Sequence, residues 1–418
     1  MKKSVQFQLS FMMFLEFFIW GGWFVTLGIY LPSTLKATGE EIFMAYSTQC
    51  LGAIITPFII GLIADRYFNA EKILGVLHLV GALLMYLMSQ ATEFSVFYPY
   101  VLCYMIAYMP TLALVNSVSF NQMKDPSKEF PRIRVWGTIG WIIVGLVFIS
   151  LIFNWDSAEN VAKGALKNTF VMTAIASAIL GLFSFTLPKT PPNTSKDEKV
   201  MISNILGLDA LKLLKDRNFL IFFISSFLIS VPLAFYYQHA GQFLGEIDAY
   251  VDIFSTKIGP AGIMTLGQIS EIGFMFLLPF LFKKYGFKKT ILFGMLAWII
   301  RYLLFAYGNN GDLFFMLLLG ITLHGICYDF FFVSGQIYTD SKAGEKVKSA
   351  AQGLITLATY GFGMLFGFWV AGKIVDQNLI ADGSHSWKDV WIFPAIFAVF
   401  VMILFAILFK NEKVEYKV

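Results

Sequence analysis

Apolar residues run through this chain in long blocks, cut by short polar interruptions. Twelve blocks reach roughly the 20 residues that a bilayer crossing needs, at about 7–30, 41–63, 71–91, 95–120, 131–154, 168–187, 218–243, 258–281, 289–307, 312–338, 348–374 and 387–410. None of them alternates apolar and polar with a period of two, which argues against a β-barrel. The pattern predicts an all-α polytopic membrane protein of twelve transmembrane helices. One polar connection is long: residues 188–217, LPKTPPNTSKDEKV and onward, where Pro188, Pro191 and Pro192 stop any helix. It separates a six-helix bundle at 1–187 from a second at 218–418.

Composition and charge then narrow the picture. Charged residues make up 14% of the chain, against about 25% in soluble domains, so the surface faces lipid rather than water. Outside loops hold only Lys36, Lys163, Lys167, Lys257, Lys373 and Lys388, and most remaining Lys and Arg fall on the other side. That asymmetry puts both termini and the 188–217 linker in the cytoplasm. The net charge of +4 fits contact with an anionic inner leaflet, not nucleic-acid binding. The opening MKKSVQFQLSFMMFLEFF has the basic start of a signal peptide, but its apolar run is too long and lacks a cleavage pattern, so it reads as an uncleaved first span. Cys50, Cys103 and Cys327 are scattered without metal-binding or redox spacing and read as small core residues. No metal site or cofactor is expected.

Polar residues inside the spans carry the candidate chemistry. An acid near mid-membrane costs about 2.5–3.5 kcal/mol by insertion scales, so it persists only beside a partner or water. Asp329 in ITLHGICYDFFFVSGQIY is the first such residue, with His324 and Tyr328 sharing a helical face beside it. Gln268 and Glu271 lie three apart in GIMTLGQISEIGFMF. The amide can meet a hydroxyl or a base edge, and the carboxylate can accept from vicinal hydroxyls. Arg134, Thr138 and Trp141 recur at i, i+4 and i+7, a stripe able to hydrogen-bond a polar ligand and stack on a flat ring. Tyr237 and Gln238, past Pro232, are ligand candidates or part of an aromatic belt. Glu16 either binds a proton or substrate or pairs with a neighbouring helix. Arg301 either neutralises Glu271 or Asp329 or snorkels outward. Pro110 should weaken the fourth span, and Gly363, Gly367 and Ala371 form a close-packing ridge in the eleventh.

Gly61, Asp65 and Arg66 stand in a loop that resembles the cytoplasmic signature of the major facilitator superfamily, with YFNAEK replacing its trailing basic residues. There the Asp caps a helix and holds the Arg, a conformational latch. The runs FIWGGW, AYMPTLALVNSVSF, RVWGTIG, LGLDA, GQISE, AWIIR, CYDFFFVSG and SAAQG resemble the bacterial nucleoside:proton symporter family of that superfamily. The resemblance implies a central cavity lined by Arg134, Thr138, Trp141, Gln268, Glu271, Tyr328 and Asp329. It also implies proton-coupled nucleoside uptake across the bacterial inner membrane by a monomer. Asp329 is then the proton carrier, with Glu271 as the alternative. A sugar or oligosaccharide symporter of the same superfamily and a non-transporting ligand sensor are the competing readings. The absence of HExxH, GxSxG or paired metal ligands argues against an enzyme.

Overall fold

The computed structural model describes residues 2–59, 68–124, 126–191, 208–253, 256–381 and 383–412. Gly61, Asp65 and Arg66 of the expected latch lie outside the described residues. In an apolar environment every backbone N–H and C=O must find a partner within its own segment, so the long apolar blocks close into helices. The first half contains α1 (Lys3–Thr34), α2 (Gly39–Ile59), α3 (Ala70–Gln90), α4 (Phe94–Asn121), α5 (Pro126–Ile142), the short α6 (Ala158–Ala162) and α7 (Lys167–Ser184). The second contains α8 (Arg217–Glu246), α9 (Pro260–Met275), α10 (Leu278–Tyr307), α11 (Phe314–Thr322), α12 (His324–Tyr328), α13 (Ser334–Thr356), α14 (Met364–Gln377) and α15 (Trp387–Leu408). Among the described residues ten helical stretches are long and apolar enough to cross a membrane. The two other expected spans are α2, of 21 residues, and α9, of 16.

Several spans are not uniform helices. Wider, π-type turns occupy Ile143–Ile152, Asp329–Val333 and Leu357–Gly363, and such turns often mark functional sites. Gly286 leaves helical geometry inside α10 at φ 75°, a conformation glycine adopts without steric cost. By contrast α4 runs unbroken through Pro99 and Pro110.

The chain divides into two compact units, Met1–Val200 with Val251–Gly262, and Met201–Tyr250 with Ile263–Val418. In the first, α1 packs on α5 and α7, and α4 on α2 and α3. A Cβ at Gly140 would sit 2.3 Å from the Phe14 carbonyl oxygen, so only glycine lets α5 approach α1 this closely. A hairpin of β1 (Val251–Ile253) and β2 (Thr256–Ile258), antiparallel with Val251 opposite Ile258, belongs to this unit. In the second unit α8 packs on α14 and α15. Here Gly367 and Gly363 meet Ala234 and Ser230 of α8, as the expected close-packing ridge requires.

Large apolar side chains such as Leu83, Leu182, Ile396 and Ile407 are exposed, where a water-soluble protein would place polar groups. Cys103 is exposed as well, so only Cys50 and Cys327 are core residues. Cys103 lies on an outward face of α4.

Candidate functional site

In the first unit, Arg134, Thr138 and Trp141 are all half-buried along one stripe of α5, while Ile133, Gly137 and Gly140 turn inward. The Arg134 guanidinium carbon lies 4.1 Å from the centre of the Phe17 ring, a cation–π contact that holds it against α1. Trp141 meets Trp20 edge-on, with ring centres 5.7 Å apart. The Trp20 indole Nε1 is buried without an acceptor, a donor that sequence reading passed over.

In the second unit the polar residues converge. A Cβ on Gly325 would lie 2.6 Å from the Glu271 backbone nitrogen, and the Gly325 N–H donates to Ser270 Oγ at 3.1 Å. Glycine at this position lets α12 press onto α9, which sets Gln268 and Glu271 beside His324, Tyr328 and Asp329. Both Asp329 carboxylate oxygens are buried without a hydrogen-bond donor, and Glu271 lies within electrostatic range. Gln268 Oε1 and both amide atoms of Gln238 are likewise buried and unpartnered. Tyr237 brings its ring edge-on to His324, centres 6.5 Å apart. The Tyr328 hydroxyl meets that of Tyr360 at 2.7 Å. Tyr360 was not anticipated; its place in the eleventh span carries no local signal of the contact.

Arg301 departs from both expectations. Its side chain is 0% exposed, so it does not snorkel, and among the described residues no carboxylate pairs with it. Instead Nη1 lies 3.0 Å from His324 Nδ1 and the guanidinium stacks 3.5 Å from the centre of the Tyr236 ring. Arginine only donates, so Nδ1 accepts and His324 is the neutral imidazole with its proton on Nε2. The aromatic face supplies the stabilisation that a carboxylate would have given.

Glu16 pairs with a neighbouring helix. Its Oε2 lies 2.8 Å from His78 Nε2 of α3, and Thr111 Oγ1 of α4 donates to Oε1 at 2.6 Å. No group of three or more metal-ligating side chains occurs among the described residues.

Buried, unpartnered polar atoms in an otherwise apolar bundle call for a small polar ligand. The wider comparison agrees. The family model for the nucleoside H+ symporter matches residues 3–414. A putative nucleoside transporter of Escherichia coli, YegT, is 43% identical over 98% of this chain and 94% of its own. The E. coli xanthosine permease is 33% identical, covering 99% of each chain. A crystal structure of the nucleoside transporter NupG superposes with a TM-score of 0.84 at 32% identity, covering 98% of this chain and 100% of that one. The POT family transporter PepTSo, at 15% identity and TM-score 0.74, shares the fold alone. Matched over nearly its whole length, the chain belongs to the nucleoside H+ symporter family, multi-pass membrane transporters rather than enzymes.

Proposed function

We propose that the protein imports nucleosides together with protons by alternating access, as a single chain in the bacterial inner membrane with both termini in the cytoplasm. The observation that carries this reading is Asp329, whose two carboxylate oxygens are buried with no donor while Glu271 stands in electrostatic range. A carboxyl so placed is far more stable neutral than ionised. Taking up a hydrogen ion on the outside and losing it inside would therefore drive the change of state. One proton falling through about 150 mV supplies about 3.5 kcal/mol, enough for roughly 300-fold accumulation of a neutral solute.

The flat base suits aromatic side chains, for which Trp141, Tyr237 and Tyr328 are the candidates. The ribose hydroxyls fit Gln268 and Glu271, one donating and accepting, the other accepting. Arg134, Thr138 and Gln238 supply further polar contacts.

The test is uptake of labelled uridine and adenosine into proteoliposomes with and without an acid-outside gradient. Accumulation above the outside level should require the gradient. Asp329→Asn should bind nucleoside and let it equilibrate without concentrating it. Full concentrative uptake by that variant would remove Asp329 as the carrier. Accumulation of sugars in place of nucleosides would overturn the substrate.

A further inference from the structure

Glu16 and His78 form a second buried acid–base pair that the transport reading leaves unused. Their side chains are 0% and 1% exposed. The hydrogen bonds around the imidazole count its protons. Ser177 of α7 donates its one hydroxyl proton to the His78 carbonyl oxygen at 2.8 Å, because that oxygen can only accept. The same Oγ lies 3.2 Å from His78 Nδ1, so Nδ1 must be the donor there. Nε2 then faces Glu16 Oε2 at 2.8 Å, a separation that two lone pairs would not tolerate. One proton therefore lies between them.

Unlike Asp329, this pair has no orphan atom: the Thr111 hydroxyl lies 2.6 Å from the other carboxylate oxygen and shares its one proton with the Tyr108 backbone oxygen at 2.5 Å. Other ionisable groups around it are few. Tyr104 and Tyr108 of α4 lie within electrostatic range of Glu16, and Arg134 of α5 within range of Tyr108. From α7 come only hydroxyls, and Tyr46 of α2 bonds α1 two turns away, at Phe24.

The contacts continue to the α5 stripe. The Tyr108 hydroxyl donates to the Glu16 backbone oxygen at 2.7 Å. Trp20, one turn along α1, lies 5.9 Å from Tyr108 and 5.7 Å from Trp141, ring centre to ring centre. A Cβ on Gly21 would come within 2.9 Å of the Trp141 ring. We propose that the hydrogen-bonded clasp of Glu16 and His78 seats α1 so that Trp20 braces Trp141 against the nucleoside. Glu16 and His78 are thus positioning residues, and this role rests on the α5 stripe binding substrate.

Glu16→Gln is the conservative variant, because its amide can still hydrogen-bond His78 Nε2 on one side and the Thr111 hydroxyl on the other. It should keep gradient-driven uptake and a KM for uridine within about twofold of wild type. Glu16→Ala, or His78→Asn, which still reaches Ser177 but not Glu16, should raise KM on the order of tenfold with a smaller change in maximal rate. Loss of concentrative uptake in Glu16→Gln with binding intact would give Glu16 a part in coupling itself and overturn the positioning role. Wild-type KM in folded His78→Asn or Glu16→Ala would overturn the positioning role. The near-ultraviolet circular dichroism of the tryptophans should change in Glu16→Ala and not in Glu16→Gln. An unchanged spectrum in Glu16→Ala refutes the seating even in a protein that binds no nucleoside, the outcome that would instead sink the substrate reading.

Discussion

A carboxylate taken out of water needs donors, and Glu16 and Asp329, both fully buried, answer that need differently. Glu16 is met by His78 and Thr111. Asp329 is met by no donor among the described residues. The first is a settled pair and the second an unmet acid, the costly kind of buried polar group. Gln268 Oε1 is likewise buried without a partner, and Glu271 stands within electrostatic range of Asp329. Their truncation to alanine should weaken nucleoside binding about 10- to 100-fold, the worth of one or two hydrogen bonds involving a charged group. Binding isotherms of the purified variants check this, and unchanged affinity in both would displace the ribose site. Glu16 stood out in the sequence as an acid in an apolar run, but its partner lies 62 residues away. Nothing local connects them. The Arg301–His324 contact, across 23 residues, was hidden for the same reason. Charge rules name a carboxylate as the natural partner of an arginine, whereas in this chain an aromatic ring and a neutral imidazole take that place.

At the level of elements, the start of α9 shows how a connection can be tied to one unit while its helix continues in the other. Asp156, between the fifth and sixth spans, is 1% exposed. Its Oδ2 accepts from Ser150 Oγ at 2.7 Å and from the Ala261 N–H at 3.0 Å, capping the first turn of α9. Burial pushes its carboxyl up from 3.8 to about 6 in spite of those donors. The folded protein thus holds this proton more tightly than the unfolded chain does. The associated stability is full below about pH 4 and is lost as pH rises to about 6, a difference of about 3 kcal/mol. Thermal unfolding in detergent should accordingly show a midpoint that falls between about pH 4 and 7 through this group. Asp156→Asn should flatten that dependence, and an identical pH profile in both proteins would show that Asp156 does not titrate there. The cap was not legible in sequence, since Asp156 sits in a polar loop of ordinary composition. The helices themselves were legible, because apolar runs of such length admit no other spanning structure.

For the whole molecule, the distribution of Lys and Arg sets the expected orientation. In a background whose three cysteines are replaced by serine, Lys163→Cys should react with an impermeant maleimide on intact cells. Lys189→Cys should react only after the membrane is opened. The reverse pattern would invert the topology and with it the direction of every proposed step. The wide turns at Asp329–Val333 and Leu357–Gly363 were beyond sequence reading, since helical periodicity assumes a uniform 3.6 residues per turn. Periodicity put Asp329 about 100° from Tyr328 on a regular helix. The wide turn that begins at Asp329 changes that phase.

By itself the sequence determined the class of the molecule, its spans, its expected orientation and the short roster of polar side chains that lipid would not tolerate unshielded. Those follow from local hydrophobicity and from the cost of an unmet charge, both of which are properties of a single segment. Tertiary structure decided which of those side chains are satisfied and which stand open. Partnership between groups tens of residues apart depends on how helices pack, down to glycines such as Gly140 and Gly325 that let two backbones touch.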